Sequence, residues 1–222
     1  MNTPIIVVEN LYSSFGADNA DYLTCPKTNK EIYFITDGHS QRNGSADLVD
    51  KFEIYLTANF NIELIDEENV EVEINKCFSD FREATKRVLP RAAMCFVLVV
   101  KINNFLHVFH LGDCRLGRFS HNGIEWITEP HLVVLQDQPG MTEEELRLNE
   151  YNHIVYKLFS VNKPRKPDYF KYEIDGSEYI LATDGFWKLT QEKQQLLLNN
   201  KFTQLSDDVA FIRFSISSNL IK

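Results

Sequence analysis

Hydrophobic positions along the 222-residue chain follow two different spacings. Short runs of β-branched and aromatic residues at Ile5–Val8 and Ile32–Thr36 are typical of strands. Between residues 45 and 60 the apolar residues recur at helical spacing behind the turn-forming Asn43-Gly44-Ser45. A second helical spacing covers residues 73–89. The pattern therefore predicts two strands followed by two helices.

Four close-set apolar segments occupy the middle of the chain. They cover residues 94–102, 105–111, 116–120 and 124–128, with turn-forming Asn and Gly residues between the first and second and between the third and fourth. This arrangement predicts an antiparallel meander. Further on, Thr142 precedes three glutamates, which predicts a helix with Thr142 as its N-cap.

The last part of the chain mixes strands with one helix. Strands are predicted at residues 169–174, 179–183 and 209–216, and a helix at residues 191–200. Strands and helices therefore occur in blocks, which favours an α+β fold with antiparallel sheets over a doubly wound fold. The length fits one domain over residues 1–222.

Composition narrows the classes of function. Hydrophobic residues make up 44% of the chain, and no apolar run has the length that a membrane span needs. The formal charge of −9 argues against nucleic-acid binding, because it would repel phosphates. Four widely spaced cysteines without a Cys-x-x-Cys pair argue against a structural zinc site. With no signal-peptide pattern at the start, we expect a cytoplasmic monomer with reduced thiols that binds no membrane.

Aspartates stand at the ends of several predicted strands. Asp37 and Asp184 each follow a strand and precede glycine, Asp113 follows Gly112, and an Asp207-Asp208 pair precedes the last strand. Carboxylates held at strand ends can face one cleft, and hard cations such as Mg²⁺ and Mn²⁺ prefer oxygen ligands. Asp-Gly after a strand is also a common turn. The pattern alone is compatible both with ordinary turns and with a metal site.

Five short motifs in order over about 190 residues resemble the protein phosphatase 2C family, the PPM class of metal-dependent serine/threonine phosphatases. The resembling segments are Asn19-Ala-Asp21, Asp37-Gly-His-Ser, Leu111-Gly-Asp-Cys-Arg115, Leu181-Ala-Thr-Asp-Gly-Phe-Trp187 and Asp207-Asp-Val-Ala. Two segments between them, Met141-Thr-Glu-Glu-Glu and Asn152-His-Ile-Val-Tyr, look like the family's flap region and the segment that follows it.

The resemblance implies a fold and a set of site residues. The expected fold has two packed antiparallel sheets flanked by helices, a four-layer αββα sandwich. Two Mn²⁺ or Mg²⁺ ions per site are implied, held by Asp37, Asp184 and Asp207, with the Gly38 carbonyl as a further ligand. Asp21 would hold a metal-bound water.

The remaining roles follow from the same resemblance. Asp37 would bridge the two ions, and His39 is the candidate general acid for the leaving oxygen. Asp113 and Arg115 are expected to brace the fold, and Trp187 to belong to the core. The implied partners are a phosphoprotein substrate and a cognate kinase.

Departures from the family pattern keep alternatives open. The family's phosphate-binding Arg falls on Gly16, and a segment that helps to bind a third metal has Pro130 instead of Asp, followed by His131. A pseudophosphatase that binds a phosphoprotein without turnover is therefore an alternative. An unrelated two-metal hydrolase acting on nucleotides is a third.

Overall fold

The strands and helices form two antiparallel sheets with helices against their outer faces. The computed structural model describes residues 3–11, 17–201 and 204–216. The strands are β1 (Ile5–Glu9), β2 (Asp18–Cys25), β3 (Lys30–Gly38), β4 (Ala93–Ile102), β5 (Phe105–Leu111), β6 (Arg115–Ser120), β7 (Gly123–Trp126), β8 (Phe159–Ser160), β9 (Asp168–Glu173), β10 (Glu178–Ala182) and β11 (Val209–Ser215). The helices are α1 (Ser45–Asn59), α2 (Val70–Thr85), α3 (Val133–Asp137), α4 (Glu143–Leu148), α5 (Asp184–Trp187) and α6 (Gln191–Leu198), with a short 3-10 helix at Ile62–Leu64.

The strand order divides the molecule into two sheets. The six-stranded sheet has the order β2-β3-β4-β5-β9, and the short β8 also pairs with β4. The five-stranded sheet has the order β1-β11-β10-β6-β7. All of these pairings are antiparallel. The predicted α+β class with two antiparallel sheets is confirmed.

Three apolar layers hold these elements together. Side chains from both sheets, such as Val97 and Leu181, pack in the layer between the sheets. Helices α1 and α2 cover the outer face of the six-stranded sheet, where the buried Phe52 ring stacks on Phe78. Helices α5 and α6 cover the outer face of the five-stranded sheet, with Phe186 in contact with its strands. The order of layers is therefore helix, sheet, sheet, helix, because each sheet has one apolar face toward the other sheet and one toward helices.

Helix α1 matches its prediction, but α2 begins earlier than predicted. The segment from Val70 to Ile74 alternates between apolar and acidic residues, as a strand would. In the structure Val70 and Ile74 are buried while Val72 is 65% exposed. Residues four apart share one face of a helix, so this burial pattern is that of the first turn of α2.

The predicted meander is wrong, because its four strands are divided between the sheets. Strands β4 and β5 pair in the six-stranded sheet, whereas β6 and β7 pair in the five-stranded sheet. The chain crosses between the sheets immediately after β5, at Gly112, whose φ is +99°. A Cβ atom there would lie 2.3 Å from Cys95 Sγ. Only glycine adopts this conformation in so little space, and the crossing carries Asp113 to the sheet ends.

All four cysteines are buried and free. Cys77 lies in the layer under α1 and α2, and Cys95 and Cys114 lie in the layer between the sheets. Burial raises the pKa of the Cys77 thiol to about 12. The predicted burial of Cys77 and Cys95 is confirmed.

Within the described ranges, no helix combines the length and the apolar character that crossing a bilayer would require.

Candidate functional site

A hairpin that the sequence pattern did not predict brings two aspartates together. Strands β2 and β3 pair in antiparallel register, with Asp18 opposite Asp37. The Asp18 carboxylate accepts a hydrogen bond from Thr183 Oγ1 at 2.6 Å, which ties it to the other sheet. Asp18 is 4% exposed. Two carboxylates from adjacent strands therefore lie at one end of the sandwich.

The structure does not bring Asp21 into this group. Residues three apart on a strand point to opposite faces, so Asp18 faces the other sheet while Asp21 faces the helical side. The charged group that acts on Asp21 is the Glu53 carboxylate of α1. Burial first, and then repulsion by Glu53, raise the pKa of Asp21. Asp18 therefore replaces Asp21 among the candidate site residues.

The crossing after Gly112 positions a further carboxylate. Asp113 is 3% exposed, and single ligand atoms of Asp37, Cys95 and Asp113 lie within 4.8 Å of one another. Asp113 Oδ1 has no hydrogen-bond partner within the described part of the chain. Asp113 thus faces the site, contrary to the expectation that it only braces the fold.

Strands β10 and β11 supply the remaining aspartates. Asp184 begins helix α5, with one residue between it and the end of β10, and its carboxylate forms an ion pair with Lys188 Nζ at 2.6 Å. Asp207 and Asp208 precede β11. A Cβ atom on Gly185 would lie 1.8 Å from the Asp208 carbonyl oxygen, so glycine is needed where these two segments meet. This close approach holds Asp184 beside Asp207.

These side chains line a cleft of about 450 Å³ at one end of the sandwich. Its aspartates are Asp18, Asp37, Asp113, Asp184, Asp207 and Asp208. The other lining residues are Gly38, His39, Ser40, Gln41, Cys95, His153 and Val155. No Lys or Arg occurs among these described lining residues. The cleft is therefore strongly negative when its carboxyl groups are ionised.

Burial and mutual repulsion raise the pKa of most of these carboxyl groups. The pKa of Asp37 lies well above its usual range because of burial first and the Asp18 carboxylate second. Burial likewise raises the pKa of Asp18, against the hydrogen bond from Thr183. The pKa values of Asp113 and Asp207 rise to about 6, through burial and then Asp184.

A divalent cation fits this donor set. The carboxylates offer several oxygen atoms, including Asp113 Oδ1, which has no hydrogen-bond partner among the described residues. Oxygen atoms are the ligands that Mg²⁺ and Mn²⁺ prefer. Burial raises the pKa of the Cys95 thiol well above its usual range, so this sulfur is protonated and is a poor ligand. A cation would also offset the repulsion that raises the carboxyl pKa values. The residues Asp18, Asp37, Asp113, Asp184 and Asp207 could hold it.

His39 stands at the rim of the same cleft. Its backbone N–H donates to the Ala93 carbonyl at 3.0 Å, and its Nδ1 accepts from the Gln41 N–H at 3.3 Å. Because Nδ1 is an acceptor, the ring proton is on Nε2. Burial, followed by the charge of Arg42, lowers the pKa of His39. Its Nε2–H is available as a donor.

The segment that corresponds to the family's third-metal residues contains Pro130 and His131 in this chain. His131 is 5% exposed, its Nδ1 contacts Gly112 and its Nε2 contacts the Asp168 carboxylate at 2.6 Å. Both ring nitrogens are therefore engaged within the protein. Pro130 has no carboxylate and no N–H. Neither Pro130 nor His131 therefore offers an open metal ligand at this segment.

Arg115 braces the segment beside the cleft, as expected. Its guanidinium donates two hydrogen bonds to Glu143, at 2.6 and 2.8 Å, and one to the Thr128 carbonyl. It also lies over the Trp126 and Trp187 rings. Glu143 begins α4, where Thr142 forms the predicted N-cap. Trp187 is 3% exposed and belongs to the core.

The position expected for a phosphate-binding Arg, Gly16, lies outside the described residues. The hairpin register also changes the alignment of this region, because Asp18 and not Asp21 faces Asp37.

Comparison with known proteins gives matches at the level of structure. No protein-family model and no curated protein matches the sequence. The serine/threonine phosphatase Stp1 from Staphylococcus aureus superposes with a TM-score of 0.78 at 18% identity, over 98% of this chain and 96% of that one. The PPM Ser-Thr phosphatase MsPP from Mycobacterium smegmatis, in complex with cacodylate, gives 0.72 at 15% identity, over 97% and 98%.

A third solved structure agrees with these two. The serine/threonine phosphatase PstP/Ppp from Mycobacterium tuberculosis gives a TM-score of 0.64 at 14% identity, over 89% of this chain and 96% of that one. The matches therefore extend over most or nearly all of the chain. This chain has the fold of the PPM-type serine/threonine phosphatases.

Proposed function

We propose that this protein is a metal-dependent protein serine/threonine phosphatase that hydrolyses phosphoserine and phosphothreonine. The observation that carries the proposal is the cleft of six aspartates at one end of a sandwich whose fold is that of such phosphatases. Carboxylates without cations would repel a phosphate dianion, so this arrangement needs bound cations to accept the substrate. Bound Mn²⁺ or Mg²⁺, two ions per site in this proposal, would supply an activated water as the nucleophile and charge stabilisation for the transferring phosphoryl group.

The chain's own residues would hold and orient these groups. Asp37 has carboxylate neighbours from both sheets and is the residue best placed to contact both ions. Asp184 and Asp207 would contribute from the other sheet, and the Gly38 carbonyl remains a proposed ligand. Asp18 takes the part that the sequence motif assigned to Asp21. His39, when protonated to the imidazolium, would donate its Nε2 proton toward the leaving serine or threonine oxygen.

The test is hydrolysis of p-nitrophenyl phosphate and of a phosphoserine peptide with Mn²⁺, with Mg²⁺ and with EDTA. We expect activity with either ion and none with EDTA. A second readout does not depend on turnover: Mn²⁺ should raise the melting temperature, because binding to the folded state alone stabilises it. Metal-independent hydrolysis, or no shift of the melting temperature at millimolar Mn²⁺, would contradict the proposal.

One feature favours the alternative of phosphoprotein binding without turnover. The Lys188 ammonium occupies an oxygen of Asp184, and despite burial the charges of Asp184 and Asp113 raise the pKa of Lys188. A cation of the protein thus competes with a metal ion for Asp184. Replacement of Lys188 by Met should tighten Mn²⁺ binding in calorimetry, with Lys193→Met as the surface control. If the native chain binds a phosphopeptide but no Mn²⁺, the alternative holds.

A further inference from the structure

A second cleft, lined by cations, borders the acidic one. Arg42, Arg91 and Lys163 line this cleft of about 470 Å³, and no Asp or Glu is among its described lining residues. None of the three forms an ion pair within the part of the chain that the structure describes. In a chain with a formal charge of −9, three neighbouring cations without a carboxylate partner among the described residues create a local positive charge that attracts anions.

Hydrogen bonds fix the three segments that carry these cations. The Arg42 N–H donates to the His39 carbonyl at 3.0 Å. The Asn162 side chain donates to the Pro90 carbonyl, which joins the segment before Lys163 to the one before Arg91. Strand β8 next to this segment pairs with the start of β4. The cationic cleft therefore has a fixed position relative to the acidic cleft.

The distance between the two clefts suits a peptide. Gln41 lines both of them. Arg91 precedes Cys95 of the acidic cleft by four residues, so their Cα atoms are at most about 14 Å apart. An extended peptide advances about 3.3 Å per residue. A phosphoserine bound in the acidic cleft through its metal ions would thus place residues up to about four positions away beside the cations.

We propose that Arg42, Arg91 and Lys163 bind anionic side chains that flank the phosphorylated residue of the substrate. This inference rests on the proposed function and narrows its substrate class to acidic phosphopeptides. The flanking anion is a carboxylate or a second phosphoryl group, because both accept hydrogen bonds from guanidinium and ammonium groups. Small phosphoesters such as p-nitrophenyl phosphate have no flanking residue and do not reach the cations.

The experiment compares four phosphoserine peptides with Glu, Ala, Lys or a second phosphoserine at the flanking positions. We expect kcat/KM to be roughly tenfold higher for the Glu peptide than for the Lys peptide at low salt. The advantage should decrease as salt screens the charges. A larger advantage for the doubly phosphorylated peptide would identify the second phosphoryl group as the preferred anion. Equal values for the Glu, Ala and Lys peptides would overturn the proposal.

Variants assign the effect to the cleft. In Arg91→Gln/Lys163→Gln the preference for Glu over Lys should disappear while the rate on p-nitrophenyl phosphate stays unchanged. The control Lys193→Gln/Lys201→Gln makes the same change of net charge at exposed positions in and just after α6, on the far sheet, and should keep the preference. A preference that persists in the first variant would refute the assignment to these residues.

A second readout separates this inference from the proposed function. If neither p-nitrophenyl phosphate nor any peptide is hydrolysed, the proposed function fails. Fluorescence anisotropy with the same labelled peptides still decides the inference, since it measures binding alone. Tighter binding of the Glu peptide that depends on Arg91 and Lys163 would support it, and equal binding of all four peptides would overturn it.

Discussion

Single residues on β2 decide which carboxylates meet in the cleft. Asp18 and Asp21 are the same residue type on the same strand, and both have a raised pKa. Their odd separation puts them on opposite faces, one toward Asp37 and one toward Glu53. At this scale the chemistry depends on the strand register and not on the type of residue.

This pair provides a matched test of the site. Asp18→Asn should reduce phosphatase activity by roughly 100-fold or more, about 3 kcal/mol of barrier, because it removes a carboxylate from the metal-binding group. Asp21→Asn should change activity by less than about twofold, since Asp21 faces α1. Steady-state kinetics with Mn²⁺ on p-nitrophenyl phosphate gives both values. The reverse ranking would restore Asp21 and reject the cleft assignment of Asp18.

His39 should matter most for substrates with a poor leaving group. The serine oxygen of a phosphoserine peptide leaves as a basic alkoxide and needs a proton in the transition state. The p-nitrophenolate leaving group is stable without one. His39→Ala should therefore lose roughly 10- to 100-fold more activity on the peptide than on p-nitrophenyl phosphate. Rates for both substrates, measured in parallel, check this. Equal losses would indicate that His39 positions the chain or a water instead.

At the scale of elements, hydrophobic periodicity predicted those helices and strands whose formation depends on the local sequence. Helix α1, the N-cap of α4 and most strands of both sheets follow from spacing and turn residues. Strand β2 was not predicted, because Asp18–Cys25 is rich in polar residues and lacks a continuous apolar run. The turn at residues 26–29 carried a usable signal, since counting outward from it pairs Asp18 with Asp37.

The local sequence pattern could not predict to which sheet each strand belongs. Strands β5 and β6 are close in sequence, yet only the crossing at Gly112 separates them into different sheets. The motif resemblance supplied Asp37, Asp184 and Asp207, which all lie in the cleft. It also named Asp21, which lies outside the lining of the cleft, because a motif match does not show which face of a strand each residue occupies.

Gly112 offers a test of this crossing. Its added Cβ would meet Cys95 at 2.3 Å with φ at +99°, so Gly112→Ala should destabilise the fold by about 3 kcal/mol or more. Gly140 is a matched control, with φ at +84° and no atom within 4 Å of the added Cβ. Gly140→Ala should cost about 1 kcal/mol, from the backbone conformation alone. Urea denaturation measures both, and equal costs would contradict the crowding at Gly112.

At the scale of the whole molecule, the cleft exists only when the two sheets are packed together. Asp18 and Asp37 come from the six-stranded sheet, and Asp184 and Asp207 follow or precede strands of the five-stranded sheet. The apolar layer between the sheets therefore determines the distance between the candidate ligands. Stability of the sandwich and integrity of the site are coupled for this reason.

The buried histidines should make that stability depend on pH. Burial first, and then the stacked His131, lower the pKa of His110 to about 3; Arg115 acts in the same direction and Asp168 opposes them. The unfolded chain takes up this proton near pH 6.5 and the folded chain only near pH 3, so stability is lost as pH falls through this window.

The His110→Phe variant removes this dependence. The native chain should lose about 2 kcal/mol of unfolding free energy relative to the variant between pH 7 and pH 5, and urea denaturation at the two pH values measures it. Working with EDTA present keeps metal binding out of the comparison. Parallel pH profiles for the two proteins would show that His110 does not stay neutral in the fold.

Because all four thiols are buried, their chemical modification can report local separation of the layers of the fold. Cys77 lies under the helices of one face, and Cys95 and Cys114 lie between the sheets. A thiol reagent can modify each of them only when its layer separates from its neighbour. The order in which the cysteines become labelled under native conditions, read by mass spectrometry of peptide fragments, would therefore show whether the helical layer lifts before the sheets part.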